Sequence, residues 1–251
     1  MFRFKQFTIQ QDRTAMKVCT DACVLGAYAE VMGAESTALL PTVERILDIG
    51  TGTGLLALMV AQRNPTALVD AVEVDESAFG QAIDNVAASP FSERIRVVQS
   101  RIQDFVPGIR YDRVLTNPPF YTNHLRSPDV GVNRALHTDE LPFSELIEAV
   151  VRLMKPNGQW WVLLPPYEAE MLAAQAKQAG LFAFKRLSVR HNAKKPIFRV
   201  ITGFAFGENS LLDETLTIFE PREPVNPGEK PSGETYTSEF RTLLHDYYLI
   251  F

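Results

Sequence analysis

The chain has 251 residues, 46% of them hydrophobic and 22% charged, with a formal net charge of −5. That length suits one large α/β domain with appendages or two small domains, and no apolar run is long enough to cross a bilayer as a helix. The acidic balance argues against a partner held by net charge alone, as nucleic acid often is.

The opening Met1-Phe2-Arg3-Phe4-Lys5 has no secretory core, so a cytoplasmic protein is expected. Cys19 and Cys23 lack a second pair that would complete a zinc site, and a cytoplasmic disulfide is not expected; no metal is called for. Phe2, Phe4, Phe7 and Ile9 alternate with polar residues like a short strand, and Thr20-Asp21 precede an apolar helical run over 22–32.

From Arg45 the pattern repeats. Strands are predicted at 46–49, 68–74, 95–99, 111–116 and 159–164, with helices at 55–63, 76–88, 143–154 and 167–179. Runs at 182–191 and 197–206 have no helix between them and read as a hairpin. Such alternation predicts an α/β fold: a seven-stranded, mostly parallel, Rossmann-like sheet with helices on both faces and an antiparallel C-terminal hairpin. The segment 207–235, crowded with Pro221, Pro224, Pro227, Gly228, Pro231 and Gly233, reads as a loop, and 236–251 as a helix-like return. The expected parts are an N-terminal extension (1–44), a core (45–206) and a C-terminal appendage (207–251).

Two motifs carry chemistry. The first is Leu47-Asp48-Ile49-Gly50-Thr51-Gly52-Thr53-Gly54, between a strand and its helix. Glycines there let backbone approach a ligand, and Glu73, ending the next strand, stands where such folds place an acid for ribose hydroxyls. The run from Gly52 to Ala57 also fits the dinucleotide spacing, so NAD competes. Asp48 would repel a pyrophosphate but suits a cationic amino acid moiety, which favours S-adenosylmethionine. Asp104, after the third strand, is placed to accept from an adenine amine.

The second motif is Asn117-Pro118-Pro119-Phe120, directly after a buried strand. Two prolines make a stiff corner. It presents an amide oxygen, a free carbonyl and a ring to a flat substrate bearing an amino group. An exocyclic aromatic amine is a poor nucleophile because its lone pair is delocalised. Acceptance of its two N–H groups by Asn117 and the Pro118 carbonyl favours a pyramidal nitrogen, while Phe120 or Tyr121 stacks on the ring. A different class, a non-catalytic nucleotide-binding module, remains open on these residues alone.

These motifs resemble the class I S-adenosylmethionine-dependent methyltransferases with an (N/D)-P-P-(Y/F) corner. The whole chain resembles the bacterial tRNA1(Val) (adenine-37-N6)-methyltransferase family, through Phe7, Met16–Asp21, Leu25–Ala27, Leu47–Gly54, Asn117–Phe120 and Arg134–His137. The resemblance implies S-adenosylmethionine as cofactor and methylation of an adenine beside the anticodon of a valine tRNA. It implies cofactor roles for Lys17, Thr20, Asp48, Gly50, Gly52, Gly54, Glu73, Asp104 and Asn117, and adenine contacts for Asn117, Pro118 and Phe120. A protein glutamine-N5-methyltransferase uses the same corner, but normally carries an N-terminal helical domain for which 1–44 is short. The basic side chains Arg126, Arg134, Arg190, Lys194, Lys195 and Arg199, with His124, His137 and Tyr121, are candidates for framing the mouth and gripping phosphates. A monomer is expected.

Overall fold

The computed structural model describes residues 1–14, 16–32, 42–119, 141–208, 210–222 and 233–251. The chain opens with two short paired strands, β1 (Phe2–Arg3) and β2 (Thr8–Ile9), and helix α1 (Thr20–Tyr28). Then come β3 (Arg45–Ile49), α2 (Leu55–Arg63), β4 (Leu68–Glu73), α3 (Glu76–Ala87), β5 (Ile95–Gln99) and β6 (Tyr111–Thr116). They are followed by α4 (Phe143–Leu153), β7 (Met154–Leu164), α5 (Pro166–Gln178), β8 (Leu181–Arg190) and β9 (Ile197–Phe206). The last elements are β10 (Leu212–Thr217), β11 (Phe219–Pro221), β12 (Glu234–Tyr236) and α6 (Ser238–Leu244).

One eight-stranded sheet has the order β10-β8-β9-β7-β6-β3-β4-β5. Only β9 runs against its neighbours; the other pairings are parallel. Strand side chains alternate between faces, so Trp161 and Ile46 join one buried cluster with α1 and α2, while Trp160 and Leu47 join the other with α4 and α5. Each face is covered by helices, as a parallel sheet requires.

The seven expected strands are joined by an eighth. Residues 212–217, expected within a loop, form β10 and pair in parallel with β8. Strand β7 begins at Met154, earlier than predicted, and the C-terminal helix occupies only 238–244. The two ends of the chain meet. Lys5 N–H donates to the Tyr247 carbonyl at 2.8 Å, and Phe4 bridges to Tyr248. Phe2 and Phe4 on one side and Tyr248, Phe240 and Phe251 on the other share an aromatic cluster.

Strand order reverses at β3, which has β4 on one side and β6 on the other. In open α/β sheets, ligands bind beyond the carboxyl ends of the strands at such a point. The glycine turn leaves β3 here, and Asn117 leaves β6 beside it: Ile49 pairs with Thr116, whose hydroxyl donates to the Ile49 carbonyl at 3.1 Å.

Candidate active site

The glycine turn is built by two carboxylates. Asp48 is buried; its Oδ2 accepts from the Thr51 hydroxyl at 2.5 Å and the Ala57 N–H at 3.2 Å, joining strand end, turn and the first turn of α2. Glu73 fastens the turn to β4: its Oε2 accepts from Gly52 N–H at 2.8 Å, and its Oε1 from Val74 and Asp75 N–H at 2.8 and 2.9 Å. A carboxylate offers about four acceptor directions, so one remains beyond these three bonds.

Gly50 and Gly52 have φ of +70° and +57°, which L side chains rarely adopt, and a Cβ on either would meet no atom of the described residues within 4 Å. Among the described residues, their backbone is therefore uncovered at the mouth of the switch point. Gly54, at +83°, turns the chain into α2.

Asp48 Oδ1 and Asn117 Oδ1 are buried and have no hydrogen-bond partner among the described residues. Leaving a buried acceptor unpaired costs about 1–3 kcal/mol. The other two such atoms belong to Gln62 and Trp160. Buried acids elsewhere are fully engaged: Asp70 with Arg96 and Tyr111, and Asp112 with Lys155 and the Glu44 and Arg45 N–H groups. Burial pushes the Asp48 carboxyl up to about 7, against the lowering effect of the Thr51 and Ala57 bonds; the Glu73 charge adds to the rise. A cation placed at Oδ1 would reverse that shift.

Asp104 is exposed on the turn after β5, and Arg152 from α4 braces that turn through the Ile102, Gln103 and Phe105 carbonyls. Lys17 donates to the Gln11 and Thr14 carbonyls at 2.5 and 3.0 Å, so it shapes the N-terminal segment itself. Thr20 starts α1. Pro118 is buried directly after Asn117.

The basic candidates divide. Arg199 donates to buried Asp21 at 2.7 Å, tying β9 to α1, and Arg190 donates to the Thr217 hydroxyl at 2.8 Å. Lys194 and Lys195 are exposed on the turn between β8 and β9. Phe120, Tyr121, His124, Arg126, Arg134 and His137 lie outside the described residues.

Two residues that sequence reasoning missed lie on α3. Asn85 donates to the Thr53 and Gln10 carbonyls and accepts from Gln10 N–H, each at 2.8 Å, while Gln81 accepts from Arg13 N–H at 3.2 Å. Asn85 thereby joins the N-terminal segment to the glycine turn. The one available signal was a pair of amides on a helix face otherwise apolar.

Comparison with known proteins bears on family and fold. The family model described as "Methyltransferase small domain" matches residues 17–169. The tRNA1(Val) (adenine(37)-N6)-methyltransferase of Dyadobacter fermentans is 46% identical over 100% of this chain and 98% of its own. That of Trichodesmium erythraeum is 40% identical over 99% and 97%. Among solved structures, a predicted O-methyltransferase from Agrobacterium tumefaciens superposes with a TM-score of 0.59 at 19% identity, covering 90% of this chain and 96% of its own, a likeness of fold. With full-length relatives at this identity, the chain belongs to the tRNA1(Val) (adenine(37)-N6)-methyltransferase family.

Proposed function

We infer that the chain methylates the exocyclic N6 of an adenine in tRNA with S-adenosylmethionine, the adenine being number 37 of tRNA1(Val), as its relatives' names state. The observation that carries this reading is the buried Asn117 oxygen beside the glycine turn, without a hydrogen-bond partner among the described residues. When bound, the cofactor supplies an electrophilic methyl group. Asp48 Oδ1 suits its ammonium, Glu73 its ribose, and Asp104 its adenine. The two buried carboxylates, Asp48 and Glu73, also disfavour the pyrophosphate of NAD at this turn.

Asn117 Oδ1 and the Pro118 carbonyl accept the two N–H bonds of the target amine and turn its lone pair out of the ring plane. Phe120 stacks on the base, and an adenine within a stack must first swing out. The nitrogen loses its proton after attack, so no strong base is needed. Alignment and electrostatic placement supply the rate. One chain carries both halves of the site, so a monomer suffices, and a tRNA substrate places the reaction in the cytoplasm. The N-terminal segment, with Lys17 and Thr20, closes the cofactor side.

Incubation with tritiated S-adenosylmethionine and fractionated RNA and protein tests this. Label in N6-methyladenosine of valine tRNA is expected; label in protein glutamine, or none in RNA, overturns it. Asn117→Ala should keep its affinity for S-adenosylhomocysteine while turnover falls about 100-fold or more. Unaltered turnover would remove Asn117 from the role.

A further inference from the structure

One aromatic pair at the catalytic edge has no part in the chemistry above. His191 and Phe198 face each other across the turn joining β8 to β9, with ring centroids 4.2 Å apart and planes 6° from parallel. Phe198 is half-buried, with the Arg199 guanidinium 5.5 Å from its centroid, whereas His191 is exposed. The stack therefore ends in a flat ring open to solvent.

The support beneath that ring is rigid. The His191 carbonyl accepts from Phe219 N–H at 2.7 Å, and the Arg190 carbonyl from Ile218 N–H at 3.0 Å. Asn192 Oδ1 accepts from Lys194 N–H at 3.0 Å, and its amide donates to Glu234 at 2.7 Å. The turn is thus pinned both within itself and to β11 and β12.

Register places it relative to Asn117. Thr116 is level with Val162 on β7, Val162 with Thr202 on β9, and Thr202 with Arg186 on β8. Phe198 lies four residues beyond Thr202, so the stack stands roughly 13 Å past the end of β6 and, two strands across, roughly 10 Å to its side. Lys194 and Lys195 are exposed on the same turn, and neither has a carboxylate partner among the described residues.

We propose that His191, backed by Phe198, is a stacking platform for an unpaired RNA base flanking the methylated one, with Lys194 and Lys195 holding adjoining phosphates. The inference rests on the RNA reading above and extends it to a second nucleotide. Single-stranded RNA is recognised by bases splayed onto flat side chains, histidine included, with cations along the backbone. An acidic protein surface would need the lysines but not a flat ring held parallel to another.

The test is binding of an unmodified valine tRNA transcript, and of its isolated anticodon stem–loop, to the full chain across a salt series by fluorescence anisotropy. His191→Ala should weaken both about tenfold and change the salt slope little, because stacking is an uncharged contact. His191→Tyr should restore most of the loss. The double variant Lys194→Gln, Lys195→Gln should lower the salt slope by about 1–2. Calorimetry with S-adenosylhomocysteine should give wild-type affinity for all three, which separates this loss from misfolding. If the wild type binds tRNA and His191→Ala binds equally, the platform is overturned while the RNA reading stands. If His191→Tyr is no better than His191→Ala, stacking is not the cause. If the wild type binds neither RNA, the RNA reading itself fails.

Discussion

Asp48 shows how a site can hold a cost in reserve. Its carboxyl, at about 7, lies well above the ordinary aspartate value near 4. An acid whose folded value is raised favours the proton in the folded state. Its contribution to stability is therefore greatest below about pH 4, declines up to about pH 7 and is flat beyond. A shift of this size corresponds to about 4 kcal/mol, of which an unpaired buried amide would take back about 1–3 kcal/mol. Asp48→Asn should thus melt at a higher temperature than the wild type at about pH 8, by the equivalent of roughly 1–3 kcal/mol, yet lose affinity for S-adenosylhomocysteine. A lower melting point would show that the buried carboxylate is not a cost. In the wild type, calorimetric affinity for the same ligand should fall as pH drops through about 7, since only the ionised carboxylate attracts an ammonium. The candidate status of Asp48 and Asn117 was legible because each lies a fixed number of residues from a strand end. The three N–H bonds to Glu73 and the reach of Asn85 to Gln10 were not: they depend on turn geometry and on contacts 75 residues apart in sequence.

At the scale of elements, the sheet joins opposite charges carried by different strands. Lys185 and Arg186 lie on β8, and Asp213 and Glu214 on β10. In the fold they face each other across β8 and β10: Arg186 is level with Asp213 and lies 3.6 Å from its carboxylate, and Lys185 lies 3.8 Å from that of Glu214. Lys185 and Arg186 are therefore neutralised within the sheet, leaving Lys194 and Lys195 on the turn beyond it as the exposed cations. Strand β10 escaped prediction because it is an edge strand whose side chains are mostly exposed, Leu216 being the one buried; without a second covered face there is no apolar run to read. Packing between elements gives a further test. A Cβ on Gly203 in β9 would lie 2.9–3.0 Å from the rings of Phe184 and Trp161, whereas one on Gly26 in α1 would meet the Met59 sulfur at 2.7 Å. Rings wedged in a core cannot move aside, but a thioether can. Gly203→Ala should cost about 1–3 kcal/mol in urea denaturation, and Gly26→Ala clearly less. Equal losses would refute this account of the sheet face.

For the molecule as a whole, the parallel core was legible from its alternation of strand and helix periods, while the union of the two chain ends was not. No local pattern announces that Phe4 will bridge to Tyr248 or that Tyr247 will donate to the Met59 carbonyl at 2.9 Å. Removing 238–251 should abolish hydrogen-exchange protection at Lys5 and lower it across 2–9, and should weaken S-adenosylhomocysteine binding because the segment joined to the glycine turn by Asn85 loses its support. Retained protection at Lys5 would show that the N-terminal strands stand alone.

The meeting of the ends also sets an order of events during synthesis. Lys5 is made 242 residues before its partner Tyr247. The parallel core can assemble as each strand–helix unit emerges, since domains tend to fold as units during translation. The N-terminal segment must wait, unpaired, for a contact 242 residues away in sequence. A nascent chain thus gains its parallel sheet well before this clasp, so an interrupted product would have the sheet of the enzyme with its N-terminal strands unanchored.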